Sequence, residues 1–232
     1  MYLKMYLAGN EKKVWDEIEN LKPNSLSDEI LKDVNDVCEE TMRRVRENIL
    51  SIYNLLKSRN FDFSKYPDGS SHNFIRGIEE PDEDVETKIA HLESVAGQLP
   101  LSLKAFWRIA GSVCLVAYSP GWPEYSDQLC VASINDNIEV VDEWHEFRSE
   151  CEDHANDPFM VFISPDEDHK DNYDGGLFYN ILLPCDTVDA RVNNSPSEAS
   201  FVAYLREAFE SKGFPGLECP PEILEGLKLL KI

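Results

Sequence analysis

The chain has 232 residues, 42% of them hydrophobic and 10% aromatic, with a formal net charge of −22. That length and apolar content allow a packed core and exclude a disordered chain, while so negative a field argues against direct binding to nucleic acid or an anionic membrane surface. No apolar run approaches the roughly 20 residues that span a bilayer, MYLKMYLAGN is too short for a signal peptide, and six scattered cysteines without a CxxC pair read as free thiols of a cytoplasmic protein.

In chain order, Asn10 is placed to cap a short helix with Val14, Trp15, Ile18 and Leu21 on one side, and Pro23 breaks it. Ser25 and Ser27 offer the next caps, and Asp28 and Glu29 suit the positive end of a helix dipole. From Ile30 to Leu56 the apolar residues, among them Val34, Val37, Cys38, Met42, Val45, Ile49 and Ile52, recur at threes and fours. This predicts a helix of about 30 residues. Arg43, Arg44 and Arg46 read as its polar face, paired with Glu39, Glu40 and Glu47. Phe61 to Ile78 is rich in turn formers, and EEPDEDVE reads as a solvated connection whose Asp82, Glu83 and Asp84 also charge the start of the next helix. Residues 1–80 therefore read as a helical N-terminal extension, and residues 81–232 as an α+β domain.

Ile89 to Gly111 organises that domain. Ile89, Leu92, Val95 and Ala96 share one helical face, Gly97 ends that helix, and Leu99-Pro100 opens a second one carrying Leu103, Phe106, Trp107 and Ala110. Trp107 and Phe106 are expected in the core. Strands are expected at Val113–Tyr118, Leu129–Ser133, Phe159–Ser164 and Leu177–Leu183, and helices at Glu139–Glu150, from Phe201 to Gly213, and at Glu222–Leu230. Strands that follow one another without long crossovers predict an antiparallel or mixed sheet with packed helices, an α+β fold.

The order Ile89, Glu93, Gly97-x-Leu99-Pro100, Phe106, Gly111 resembles the signature of the SUKH superfamily, which includes bacterial immunity proteins and fungal regulators of cell-wall synthesis. The resemblance covers Asp84 to Gly216, and SFVAYLREAFESKGFPG near its end is also similar. The family usually carries Asn-Gly where this chain has Ala110-Gly111. The resemblance implies the same α+β arrangement and a protein-binding role.

The tools of an enzyme are missing: there is no GxSxG, Walker A loop, GxGxxG or HExxH. Asp166, Asp168, Asp171 and Asp174 lack the order and closing Glu of an EF-hand loop and read as a solvated acidic loop. Cys151-x-x-His154, with His145 and His169 nearby, lacks the second half of a zinc finger. Cys114 lies in an apolar strand and reads as core. No catalytic residue, metal or cofactor is assigned.

Charge is distributed unevenly. Glu124 to Asp174 holds sixteen acidic residues against two basic ones, Arg148 and Lys170, whereas residues 1–80 hold fifteen against twelve. Such a segment would steer a basic partner. The expected function is that of an immunity protein, its oligomeric state open with a monomer favoured, binding a cognate, basic, nucleic-acid-targeting toxin domain; the alternative is an intracellular regulatory scaffold binding several host proteins. Charge and aromatic content select Trp122, Glu124, Tyr125, Asp127, Asp136, Glu139, Asp142, Glu143, Asp166, Glu167 and Asp168 as the partner-binding residues.

Overall fold

The computed structural model describes residues 1–71, 77–121, 127–150, 152–154, 156–216 and 222–232. It opens on a helix not foreseen above, α1 (Tyr2–Leu7). Six residues are too few to hold a helix by propensity. Tertiary contacts hold it instead: Tyr6 is fully buried with the Arg44 guanidinium 4.6 Å from its ring centre, and the Asp33 carboxylate accepts from the amino terminus and from the Tyr2 and Leu3 amides.

α2 (Glu11–Ile18) buries Val14, Trp15 and Ile18, and Trp15 Nε1 donates to Thr41 Oγ1 at 3.1 Å. Thr41 belongs to α3 (Asp28–Ser58), the long helix predicted from periodicity, capped by Ser27. A stripe of Val34, Val37, Cys38, Met42, Val45, Ile49, Ile52 and Leu56 is buried along it, and a helix patterned this way owes its stability to the surface it covers. Its arginines go further than the expected i,i+4 pairs. Arg43 does bridge to Glu39 and Glu40, but Arg44 also reaches Glu11, and Arg46 pairs with Glu80 and the Ile109 carbonyl. The helical lead-in and the later elements thus share one continuous core.

β1 (Gly77–Glu79), β2 (Ser112–Cys114) and β3 (Cys130–Val131) form an antiparallel sheet in that order, with Val113 opposite both Ile78 and Val131. Two of these strands are shorter than predicted. Extended chain continues beyond them, but it pairs with irregular segments: Leu115 N donates to Leu129 O at 2.9 Å, Leu129 N to Gly213 O at 2.9 Å, and Tyr118 pairs with Asp62.

α4 (Val85–Ala96) and α5 (Leu101–Ile109) are the predicted helix pair. Gly97 between them has φ +96°, and a Cβ there would lie 2.8 Å from Pro184 Cβ. Glu93 fixes the turn, since its Oε1 accepts from Leu99 N at 3.0 Å and from Lys104 Nζ at 2.8 Å. Gly111, at φ +79°, passes so close to β1 that a Cβ would sit 2.2 Å from Glu79 O. Phe106 and Trp107 are buried as expected, with Trp107 Nε1 donating to Ala132 O at 3.0 Å.

α6 (Ile134–Glu150) begins five residues before its predicted start. Ser133 and Asp136 explain this: the Ser133 amide and hydroxyl donate to Asp136 Oδ2 at 2.8 Å, and the Asp136 amide returns to Ser133 Oγ, a reciprocal cap three residues apart. β4 (Phe159–Ser164) and β5 (Tyr179–Leu183) form a second antiparallel sheet, with α7 (Glu167–Lys170) between them in sequence. α8 (Phe201–Glu210) packs Phe201 edge-on to Phe106. Asp189, 4% exposed, joins α5 to α8 by accepting from Ser102 Oγ at 2.6 Å and Val202 N at 3.1 Å.

The helix predicted at Glu222–Leu230 is a single 3-10 turn, Glu222–Leu224. The chain after it has no regular secondary structure and is clamped by Asn48, whose side chain donates to Leu230 O at 2.9 Å and accepts from Leu230 N at 2.7 Å. Among the described residues no helix is long and apolar enough to cross a membrane.

Candidate protein-docking face

The alternation along β4 and β5 has two sides. Phe159, Val161, Ile163, Tyr179, Ile181 and Leu183 point into the core. On the other side the register pair Met160 and Leu182 is 60% and 43% exposed, and Phe162 is half-buried. Phe178 extends this apolar strip, with its ring edge-on to Phe162 at 5.2 Å and 4.8 Å from the His169 imidazole of α7, and next to it Leu177 is 68% exposed. Leu177 also lines a shallow hollow of about 480 Å³ whose acidic wall is Asp166, Glu167 and Asp168. At Leu177 the carboxylates and an exposed apolar side chain therefore meet.

Two buried polar arrangements hold that surface. Along the outer edge of β4, Asn137 of α6 donates to Phe162 O at 3.1 Å and accepts from Phe162 N at 2.7 Å. This satisfies both main-chain groups where a further strand would have to pair. Beneath α7, Lys170 is fully buried, and its ammonium pairs with Asp127 and lies 4.9 Å from the Tyr179 ring centre. Tyr179 OH donates to the other Asp127 oxygen at 3.2 Å. Burial disfavours the charged lysine, yet the attraction of Asp127 outweighs it and holds the Lys170 ammonium above the usual lysine range. Burial, reinforced by the Asp127 charge, pushes the Tyr179 hydroxyl up, so it stays a neutral donor.

The residues selected from the sequence fall into three groups. Trp122, Glu124 and Tyr125 lie outside the described residues. Asp127, Asp136 and Asp166 are engaged inside the fold: Asp127, 4% exposed, holds Lys170; Asp136 caps α6; and Asp166, 6% exposed, caps α7 by accepting from the amide and imidazole of His169. Asp127 and Asp166 are thus not free surface carboxylates, because one holds the buried Lys170 ammonium and the other the half-buried His169. Glu139, Asp142 and Glu143 are exposed on α6, and Glu167 and Asp168 on α7. Asp142 is bridged to His91 of α4 at 3.0 Å.

Composition alone missed Met160, Phe178 and Leu182. Period-two alternation in FMVFIS and FYNILL was the available signal: the residues left over when one strand face is assigned to the core include these apolar ones. Exposed Val140 and Phe147 of α6 lie three residues beyond Asn137 and Trp144. On a helix that spacing puts them on the flank next to the β4-facing stripe. Among the described residues no group of His, Cys, Asp and Glu is arranged to hold a metal ion. No family model, curated protein or solved structure matches the chain.

Proposed function

We propose that this chain is a non-enzymatic immunity protein of SUKH type, which neutralises a basic toxin domain by docking it on the outward face of β4 and β5. The observation that carries this reading is the exposed strip Met160, Leu182 and Phe178, which runs up to α7 through the Phe178–His169 contact and is continued by Leu177 at the acidic wall of Glu167 and Asp168. An apolar centre with a charged rim is the usual anatomy of a specific interface. The charge supports a basic partner, since the −22 field and its concentration around α6 and α7 speed encounter with a positive surface. Many toxins of this kind act on nucleic acid and are basic for the same reason that phosphate binders are. The resemblance of the Ile89–Gly111 pattern to the SUKH signature supports the same reading.

The test is affinity capture from the native cytosol, washed at low and then high salt, with the wild type and two surface variants. Met160→Ser/Leu182→Ser removes the apolar centre, and Glu167→Gln/Asp168→Asn removes part of the rim. The expected result is one stoichiometric basic partner carrying a toxin module. Its dissociation is at least tenfold faster from the apolar variant, and its association slows in salt and in the rim variant. Several weakly held partners would point to a scaffold, and retention by both variants would place the interface elsewhere.

A further inference from the structure

On the opposite side of the charge balance, one groove is basic. The start of α2, the end of α8 and the segment Leu229–Ile232 enclose a groove of about 560 Å³ into which Lys12, Lys13, Arg206, Lys212 and Lys231 contribute, with Glu11 and Glu210 as its acidic side chains. In a chain of net charge −22 this is an inversion of sign, and Glu11 is already paired with Arg44 at 2.9 Å. Lys12, Lys13 and Lys231 form no ion pair with any described residue.

Two further observations give the groove unspent donors. Arg206 Nε donates to Ile232 O at 3.0 Å, while its Nη2 is buried with no hydrogen-bond partner among the described residues. Leaving a buried guanidinium N–H without an acceptor is unfavourable, and an oxyanion that reaches it as the Arg206 side chain adjusts would relieve this. The α2 N-terminus is also uncapped: Asn10 gives its side-chain amide to Met5 O, and no side chain accepts from the first turn of the helix. The Glu11, Lys12 and Lys13 amides therefore lie at the positive end of the helix dipole, in the wall of the groove.

We propose that this groove binds a phosphate-bearing small molecule, with the anion held by Arg206, Lys12, Lys13 and the α2 amides and the rest of the molecule against Phe209 and Leu229. Groove size fits such a ligand, since small-molecule sites run about 300–1,000 Å³. The acidic field excludes long polyanions, whose many charges it repels at every point outside the groove. A compact anion a few ångströms from the lysines feels mainly them, because screening cuts off more distant charges within about 8–10 Å.

The experiment is calorimetric titration of the full chain with inorganic pyrophosphate at about 0.15 M ionic strength, where the distant acidic charges are screened, with amide shifts of residues 10–13 followed by NMR. Saturable binding that shifts these amides is expected, weakened at least tenfold in Arg206→Gln and again in Lys12→Gln/Lys13→Gln. The lysine pair is exposed, so that variant keeps the fold even if Arg206→Gln does not. Lys32→Gln, on the surface of α3, leaves binding unchanged. No saturation at millimolar pyrophosphate, equal affinity in the Lys12/Lys13 variant, or tighter binding of a single-stranded oligonucleotide would each overturn the proposal.

Discussion

Replacing Lys170 with methionine keeps most of the side-chain stem but removes the ammonium, stranding the Asp127 carboxylate inside the protein. Lys170 is 0% and Asp127 4% exposed at the side chain, so water does not screen the loss. Removing one partner of a buried pair costs about 3–5 kcal/mol, because the remaining charge is left uncompensated. At roughly 2–4 °C per kcal/mol for a chain of this size, the melting temperature should fall by about 6–20 °C. Taking away both charges, as Lys170→Met/Asp127→Leu, should recover most of this. A residual deficit of about 1 kcal/mol is expected from the Tyr179 hydroxyl, which loses its acceptor. Urea unfolding near neutral pH measures all three proteins. A single variant that loses under 1 kcal/mol, or a double variant as unstable as the single one, would refute the account of the pair as a buried and mutually dependent unit. Because Lys170 anchors α7, the single variant should also weaken the docking proposed at Glu167 and Asp168, while the double variant restores it.

Three further outcomes follow from the same geometry. Asn137→Leu leaves Phe162 N–H and C=O without partners at about 1–3 kcal/mol each, so the Phe162 amide should exchange with solvent deuterium much faster than its β4 neighbours; unchanged protection would show that the clamp is dispensable. Gly111→Ala must adopt φ +79° with its Cβ pressed on the Glu79 carbonyl, a backbone clash expected to cost more than the about 1 kcal/mol of an ordinary glycine replacement; an unfolding midpoint equal to that of the wild type would contradict it. Asp82 is held down at about 2 by hydrogen bonds from Lys88, Asn135 and the Asp84 amide. A depressed carboxyl contributes stability above its ordinary value near 3.8 and loses it as pH falls through about 2. Asp82→Asn should therefore flatten the acid limb of the stability profile in that window, and an unaltered slope would remove Asp82 from the account.

Periodicity made the helical frame legible before any coordinates. The α3 stripe, the α4–Gly97–α5 turn and the α8 pattern are local, and each residue set names one face by its spacing alone. Gly97 and Gly111 could also be read as breaks, although the backbones they approach, at Pro184 and Glu79, are remote in sequence. The concentration of acidic residues between Glu124 and Asp174 was likewise visible in the chain.

Which of those acids face solvent was a tertiary decision. Asp127 and Asp166 carry the same charge as Glu167 and Asp168, but donors on buried Lys170 and half-buried His169 claim them. The short helix α1 and the irregular end of the chain were illegible for a related reason. Six residues hold no helix alone, and a segment with helical spacing stays irregular once Asn48 satisfies its backbone from outside. Both the docking face and the basic groove join residues far apart in the chain. Sequence determined what each segment buries, through patterns that repeat within a few residues. Tertiary structure decided which polar groups stay free, because that depends on donors and acceptors brought from elsewhere.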